Sequence, residues 1–186
     1  GANSSIQQYT CSNADSQLWE LVDAEISVSK DFSKKNIMIQ NVYSGLFADI
    51  AGGYFNPGTR IIQYSAIDYG PNGSPNQRFN IEYIGEFDGR ATFKIAPTTK
   101  TDLIWDNANY GNHIFLQKDY TGSTSPAHTW WIYDNGDGSY SFMNRGNMTK
   151  ILNLENCSKN GYEKLKLQDV NFSCNDGSSY KWRIIQ

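Results

Sequence analysis

Four aromatic residues, spaced at similar intervals along the chain, each begin a short apolar run. The four anchors are Trp19, Phe79, Trp130 and Trp182, separated by 60, 51 and 52 residues. Trp19 ends a Gln-x-Trp phrase, and looser versions of that phrase end at the other three anchors. A repeat of this period has to be interpreted first, because a repeated unit determines the architecture of the whole fold.

The segments between anchors share the same order of short strands and polar turns. After Phe79 the chain runs through NIEYI, the turn EFDG, ATFKIA, DLIWDN and HIFLQK. After Trp130, Asn-Gly and Asp-Gly pairs at 135–138 indicate a hairpin, because glycine tolerates positive φ. Most of these runs alternate with period two, which predicts strands, and helical periodicity is absent. From about residue 28 the chain therefore reads as three units of four strands.

Short strands in three equivalent units have to protect their edges. A closed barrel with threefold pseudosymmetry does so, and one aromatic residue per unit then fills the shared centre. A propeller would suit four strands per unit but needs at least about four blades. The sequence thus predicts an all-β barrel.

The composition narrows the choice of partners. The 16 Lys and Arg against 19 Asp and Glu give a net charge of -3, which offers no basic surface for nucleic acid or an anionic membrane. No apolar stretch approaches the roughly 20 residues of a membrane helix, so we expect no membrane insertion. The chain begins at Gly1 without a methionine, and we expect it to be a processed or excised piece of a larger protein.

The three cysteines are an odd number. Cys157 and Cys174 flank a segment that one disulfide could close, whereas Cys11 stands far away near the start. One disulfide and one unpaired thiol is our interpretation, and three free thiols in a cytosolic protein is the alternative. A disulfide together with the low content of charged residues, 19%, favours a secreted, extracellular protein.

The repeated Gln-x-Trp phrase, with SGLFADIAGGYFNPGTRIIQYSA before its second occurrence, resembles the ricin-type family of R-type lectins and carbohydrate-binding modules. The resemblance covers essentially the whole chain. It implies a β-trefoil of three four-stranded repeats, at about residues 28–84, 85–135 and 136–186.

The same resemblance implies a shallow sugar pocket in each repeat. Its parts are an Asp on the first strand, an aromatic residue on the second and an Asn just before the Gln-x-Trp phrase. A carboxylate accepts two hydroxyl hydrogen bonds, an aromatic face covers the C–H patch of a pyranose, and an amide both donates and accepts. The first unit supplies the predicted carbohydrate-binding residues: Asp49, Tyr64, Asn76 and Gln77.

The first unit departs from the family pattern at two positions, and each of its residues taken singly could have a purely structural role. Ile62 stands where sugar-binding members often carry Gln, and Phe79 replaces Trp. Asp49 could fix a loop, Tyr64 could pack on a strand and Asn76 could cap a turn. Their joint spacing in one repeat favours a site.

The other two units match the pattern less well. In the second, the corresponding residues are assigned as Trp105, Gln117 and Ala127-His128. In the third they are Asn153, Gln168 and Ser179-Tyr180. Because neither set combines a carboxylate with a ring, we expect one competent site at most.

Catalytic and metal motifs are weak. His113 and His128 lack Cys or carboxylate neighbours at metal-ligand spacing, and the DNGDG run at 134–138 fits a hairpin better than a calcium loop. No nucleophile motif or phosphate-binding glycine loop is present, so we expect neither a cofactor nor catalysis.

Three functional hypotheses follow. The first is a non-catalytic, lectin-like domain of a larger secreted protein, binding galactose-type glycans and delivering an attached toxin or glycoside hydrolase to them. The second is a trefoil that no longer binds sugar and serves as a protein-interaction or receptor-docking domain of a multidomain toxin. An enzyme acting on polysaccharide is the third and least favoured.

Residues 1–24 are surplus to the three units. They match the second half of a repeat, with Gln7 and Tyr9 at ligand-type positions and Ser16 where Asn is expected. In the family, the cysteine after the second strand often pairs with one on the first strand, which is missing here, so Cys11 is left unpaired. We expect the tail of a preceding ricin-like repeat, with an N-terminal extension that clasps this trefoil as the alternative.

Overall fold

The computed structural model describes residues 26–68, 73–107, 111–120, 124–172, 174 and 177–186. This part of the chain contains β-strands and short 3-10 turns but no α-helix. The strands are β1 Ile26–Ser27, β2 Lys34–Asn41, β3 Phe47–Ile50, β4 Ile61–Tyr64, β5 Phe79–Phe87, β6 Arg90–Pro97, β7 Leu103–Asp106, β8 Phe115–Lys118, β9 Trp130–Asp134, β10 Tyr140–Asn144, β11 Lys150–Leu154, β12 Leu165–Asp169 and β13 Trp182–Ile185.

Six of the strands form a closed antiparallel ring. Its order is β9, β6, β5, β2, β13 and β10, and β10 pairs with β9 to complete the circle. Closure removes the free edges that an open sheet of these strands would expose. The short strand β1 pairs with β9, with Ser27 opposite Tyr133.

Three hairpins, β3–β4, β7–β8 and β11–β12, lie outside this ring and bond to one another. The amide of Ile61 donates to the carbonyl of Ile114 (2.8 Å), and the amide of Ile114 donates to the carbonyl of Leu165 (3.0 Å). Each unit therefore consists of one hairpin with one ring strand before it and one after it. The three units are β2–β5, β6–β9 and β10–β13. The fold is a β-trefoil of three four-stranded units, as the ricin-type resemblance implies.

The repeated aromatic residues fill the centre. Phe79, Trp130 and Trp182 are completely buried. The Trp105 ring meets Phe79 and Trp130 edge-on, with centroids 5.1 and 6.3 Å apart. Since truncating a buried aromatic residue to alanine costs about 3–5 kcal/mol, each anchor is needed for stability.

A disulfide ties the third unit together. Cys157, after β11, is bonded to Cys174, before β13, with Cα atoms 5.4 Å apart. The pairing is the one expected from the spacing of these two cysteines. The predicted half-repeat at 1–24, with Trp19 and Cys11, lies outside the described residues. Within the described part of the chain, no helix has the length and apolar character needed to cross a membrane.

Candidate functional site

Equivalent positions in the three hairpins follow from three isolated backbone bridges. These join successive units: Arg60 with Phe115, His113 with Lys166, and Lys164 with Ile62. Each bridge links the same two positions of neighbouring units. The second residues of the three pairs, Phe115, Lys166 and Ile62, are therefore equivalent to one another. Their partners on the first strand of each hairpin are equivalent as well: Asp49, Asp106 and Asn153.

In the first unit, β3 and the 3-10 turn Pro75–Gln77 bring the predicted residues together. Asp49 lies between two core residues, so alternation along β3 turns its side chain away from the core. The Nδ2 of Asn76 lies 3.4 Å from each carboxylate oxygen of Asp49. The hydroxyl of Ser74 donates to the Oδ1 of Asn76, which fixes the orientation of this amide.

The Asp49 carboxyl group is nearly buried, at 3% exposure. Burial raises its pKa from 3.8 to about 6, against hydrogen bonds from Asn76 and Gln77 that lower it. At neutral pH the group is still a carboxylate. Since a carboxylate has about four acceptor positions, more than these two amides use, Asp49 can accept further hydrogen bonds from hydroxyl groups.

Tyr64 lies diagonally across the hairpin from Asp49, since Phe47 is paired with Tyr64 and Asp49 with Ile62. Diagonal neighbours on one face are about 7–8 Å apart, and long or aromatic side chains span this distance. The Tyr64 ring is partly exposed. The carboxylate and the ring thus flank one shallow depression.

Gln77 supports the depression from behind. It is completely buried, and its Oε1 accepts a hydrogen bond from the amide of Ile67 (3.0 Å). Its Nε2 donates to the carbonyl of Ser65 (2.8 Å). These bonds hold the chain that leaves Tyr64, so the main role of Gln77 in the structure is to position the aromatic segment.

Two further tyrosines border the site, and neither was identified from the sequence. Tyr54 is 67% exposed and follows the 3-10 turn Ala51–Gly53, where its ring covers Gly52. Tyr162 comes from the third unit, is 71% exposed, and its hydroxyl donates to that of Tyr64 (3.3 Å). The Ala-Gly-Gly-Tyr turn beside Asp49 was the available signal for Tyr54, whereas Tyr162 lies 98 residues from Tyr64.

The assignment of the second unit is wrong by one residue. Trp105 does not occupy the carboxylate position; it is fully buried and packs in the core. Asp106 occupies that position, 1% exposed, with its Oδ2 3.5 Å from the Nε2 of His128. Gln117 stands two residues beyond Phe115, where the first unit has its aromatic ring. The second unit therefore has a carboxylate but no ring at the corresponding place.

The third unit has neither group. Asn153 is at the carboxylate position and is completely buried. Its Nδ2 donates to the carbonyl of Phe172 (3.3 Å), and its Oδ1 accepts from the amide of Leu154 (2.8 Å). Gln168 takes the place of the ring. The amide that could meet a ligand is therefore engaged by the protein itself.

No group of three or more potential metal ligands occurs in the part of the chain that the structure describes. The Nε2 of His113 instead lies 2.9 Å from the Oε1 of Glu155. Lys164 lies 3.2 Å from the other oxygen of this carboxylate. The cluster links the second hairpin to the third and has a structural role.

A family model described as "ricin-type beta-trefoil lectin domain-like" matches residues 1–64, a range that includes Asp49 and Tyr64. The chain resembles ricin-type β-trefoil lectin domains. The resemblance expected from the repeated phrase is therefore confirmed. No curated protein sequence matches the chain significantly.

Solved structures support the same fold. The designed threefold-symmetric protein ThreeFoil is 22% identical with a TM-score of 0.61, and the match covers 81% of this chain and 99% of ThreeFoil. A mosquitocidal holotoxin is 22% identical with a TM-score of 0.65, covering 88% of this chain but 17% of the toxin. The C-half of an earthworm R-type lectin, in complex with GalNAc, is 18% identical with a TM-score of 0.56, covering 80% and 96%. At these identities the likeness establishes the β-trefoil fold.

Proposed function

We propose that the chain is a non-catalytic carbohydrate-binding domain whose first unit binds a galactose-type sugar. The observation that carries the proposal is the Asp49 depression. There a nearly buried carboxylate, the Asn76 amide and the Tyr64 ring converge from three segments of one unit. The ricin-type resemblance supports this class of ligand.

The chemistry of the depression suits a sugar. A carboxylate can accept hydrogen bonds from two neighbouring hydroxyl groups, and such charge-assisted bonds are stronger than neutral ones. The ring of Tyr64 offers an apolar face to the C–H side of a pyranose. A shallow site exchanges water for protein at little net gain, so we expect a dissociation constant of about 0.1–1 mM for one sugar.

The test begins with a glycan array and continues by titrating the best monosaccharide against the wild type and two matched variants. Asp49→Asn should weaken binding at least about tenfold, because the charge-assisted bonds are lost. Asp106→Asn changes the equivalent carboxylate of the second unit and should leave affinity unchanged. Equal affinities for the wild type and Asp49→Asn would refute the site.

The ring is tested separately. Tyr64→Ala should weaken binding by about three- to tenfold, as expected for one lost aromatic contact. Its backbone position on β4 is held by pairing with Phe47, so the fold should persist. Full affinity in a folded Tyr64→Ala variant would contradict the assigned role.

The proposal extends to the setting of the domain. The Cys157–Cys174 disulfide supports a secreted protein, since such bonds persist in oxidising compartments. A domain with one weak site serves best when attached to another activity, so we propose a parent toxin or glycoside hydrolase that this domain directs to glycans.

A protein-docking role is the second candidate, favoured by exposed apolar side chains on the third unit. Met148 and Val170 are 60% and 45% exposed, and the amide of Val170 bonds to the carbonyl of Thr149, next to Met148. Exposed apolar side chains that form a contiguous patch often mark contacts with other proteins. A blank glycan screen, combined with binding to another domain of the parent protein that Met148→Ser abolishes, would decide for this role.

A further inference from the structure

Tyr162 adopts a backbone conformation that tyrosine seldom adopts. Its φ is +69°, in the left-handed region that favours glycine. The amide of Tyr162 donates to the carbonyl of Gln63, just as the amide of Gly58 donates to the carbonyl of Leu116. The corresponding residue of the second unit is Gly111, and both glycines have positive φ. The third unit thus has a tyrosine where its two counterparts have glycine.

A second departure from the threefold pattern lies directly opposite Tyr162, at Gln63. Gln63 is completely buried, at a position where the other units have leucine: Leu116 and Leu167. A buried amide is costly unless it is hydrogen-bonded. The Nε2 of Gln63 donates to the carbonyls of Ser158 (2.9 Å) and Asn160 (2.7 Å). Gln63 therefore anchors the loop that carries Tyr162.

The two departures together set Tyr162 against Tyr64. The ring centroids are 4.8 Å apart and the planes are inclined by 62°. Gly161 permits this approach, because a Cβ atom there would lie 3.2 Å from the Tyr64 ring. Unfavourable backbone conformations persist where the surrounding structure enforces them, and they concentrate at functional sites. The strained residue here is also 71% exposed, next to the Asp49 depression.

We propose that Tyr162 forms a second aromatic subsite, which holds the sugar residue adjoining the one bound at Asp49. This proposal rests on the proposed function. The two rings meet edge to face, Tyr162 remains largely exposed, and its ring can receive the C–H face of the neighbouring pyranose of an oligosaccharide. The preferred ligand is then a disaccharide or longer glycan with a galactose-type end.

The experiment compares methyl β-galactoside with a panel of disaccharides that end in galactose, titrated against the full chain. The wild type should bind the best disaccharide about three- to tenfold more tightly than the monosaccharide. Tyr162→Gly introduces the residue type of the other units, which suits positive φ, so the fold should be retained. In this variant the ratio of disaccharide affinity to monosaccharide affinity should fall close to one. The monosaccharide affinity itself should stay within about twofold of the wild-type value.

Two controls sharpen the result. Tyr162→Phe keeps the ring and should keep the preference for the disaccharide, which separates stacking from the hydroxyl contact with Tyr64. Tyr120→Ala removes another exposed tyrosine, 65% exposed, and should change neither affinity.

The outcomes are distinguishable. A folded Tyr162→Gly variant with an unchanged disaccharide-to-monosaccharide ratio would overturn the subsite and leave the Asp49 site intact. A wild-type chain without any preference for disaccharides would overturn it too. Monosaccharide binding that Asp49→Asn does not weaken would refute the proposed function itself, and the subsite with it.

Discussion

Replacing Asp49 with asparagine should make the protein more stable at neutral pH. The substitution is nearly isosteric and removes a charge from a position that is 3% exposed. Burial raises the pKa of Asp49 from 3.8 to about 6, so the folded state holds its proton more tightly than the unfolded state does. For a group of this kind, stability is lost as pH rises from the unfolded to the folded pKa, and the full cost applies above about pH 6.

The magnitude follows from the size of the shift. One pKa unit corresponds to about 1.4 kcal/mol, so a rise of roughly two units corresponds to about 2–3 kcal/mol. Asparagine also loses an acceptor for the Asn76 amide, which costs about 1 kcal/mol at every pH. We therefore expect a net gain of about 1–2 kcal/mol at pH 7.5 and a small loss at pH 4. The difference between the two pH values, about 2 kcal/mol, isolates the charge.

The assay is denaturant and thermal unfolding of the wild type and Asp49→Asn at pH 4 and pH 7.5. A gain of this size raises the melting temperature of a chain of this length by about 2–8 °C at pH 7.5. Asp31→Asn, at an exposed carboxylate, is the matched control and should show no such dependence. An effect of Asp49→Asn that is equal at the two pH values would refute the reasoning, because a cost unrelated to ionisation does not vary with pH.

Three further predictions can be checked by the same unfolding measurements. Serine at both Cys157 and Cys174 should lower stability by about 3 kcal/mol, because the bond closes a loop of 17 residues; an unchanged midpoint for the reduced wild type would contradict this. Burial raises the pKa of Glu155, but hydrogen bonds from a histidine and a lysine outweigh it and hold the pKa below the usual value. Glu155→Gln should therefore destabilise the protein at neutral pH and lose this effect in acid, and a constant difference down to acid pH would count against the ion cluster. Gly52→Ala should cost about 1–3 kcal/mol, because φ is +63° and the added Cβ would lie 2.5 Å from the Tyr54 ring; a wild-type melting temperature would show that the turn relaxes freely.

The repeat predicts the architecture because each aromatic anchor packs into the same core. Phe79, Trp130 and Trp182 meet in one core, so their spacing along the chain records the threefold symmetry of the barrel. Turn signals and alternation supply the strands between them. The ricin-type resemblance then joins Asp49, Tyr64, Asn76 and Gln77, which the structure brings together around one hairpin. Their binding role stays a prediction.

The error in the second unit has a physical cause. The core position before the site residue holds Ala48 in the first unit but Trp105 in the second. A small residue in one unit and a large one in another give different apolar profiles at equivalent positions. The apolar profiles of the two units therefore do not by themselves distinguish Asp106 from Trp105 as the equivalent of Asp49. The bridges between the hairpins show which residues of the units are equivalent. The sequence of one segment alone does not predict such contacts.

Tyr162 escaped prediction for a different reason. Its relevance depends on the third unit lying beside the first, a contact between residues 98 positions apart. Within its own unit the residue looks like an exposed loop tyrosine. The threefold comparison identifies it only after the hairpin bonds show that its counterparts are Gly58 and Gly111.

The bonds from Gln63 to the loop at 158–160 bear on how such a domain can change over time. Because the third unit places Tyr162 against Tyr64 of the first, exchange of the third unit between related genes would alter the surroundings of Tyr64 without changing any residue of the first unit. Inheritance of these surroundings therefore requires neighbouring units to be passed on together. Selection should act on the interface between the units, and a single duplicated unit would carry only one side of that interface.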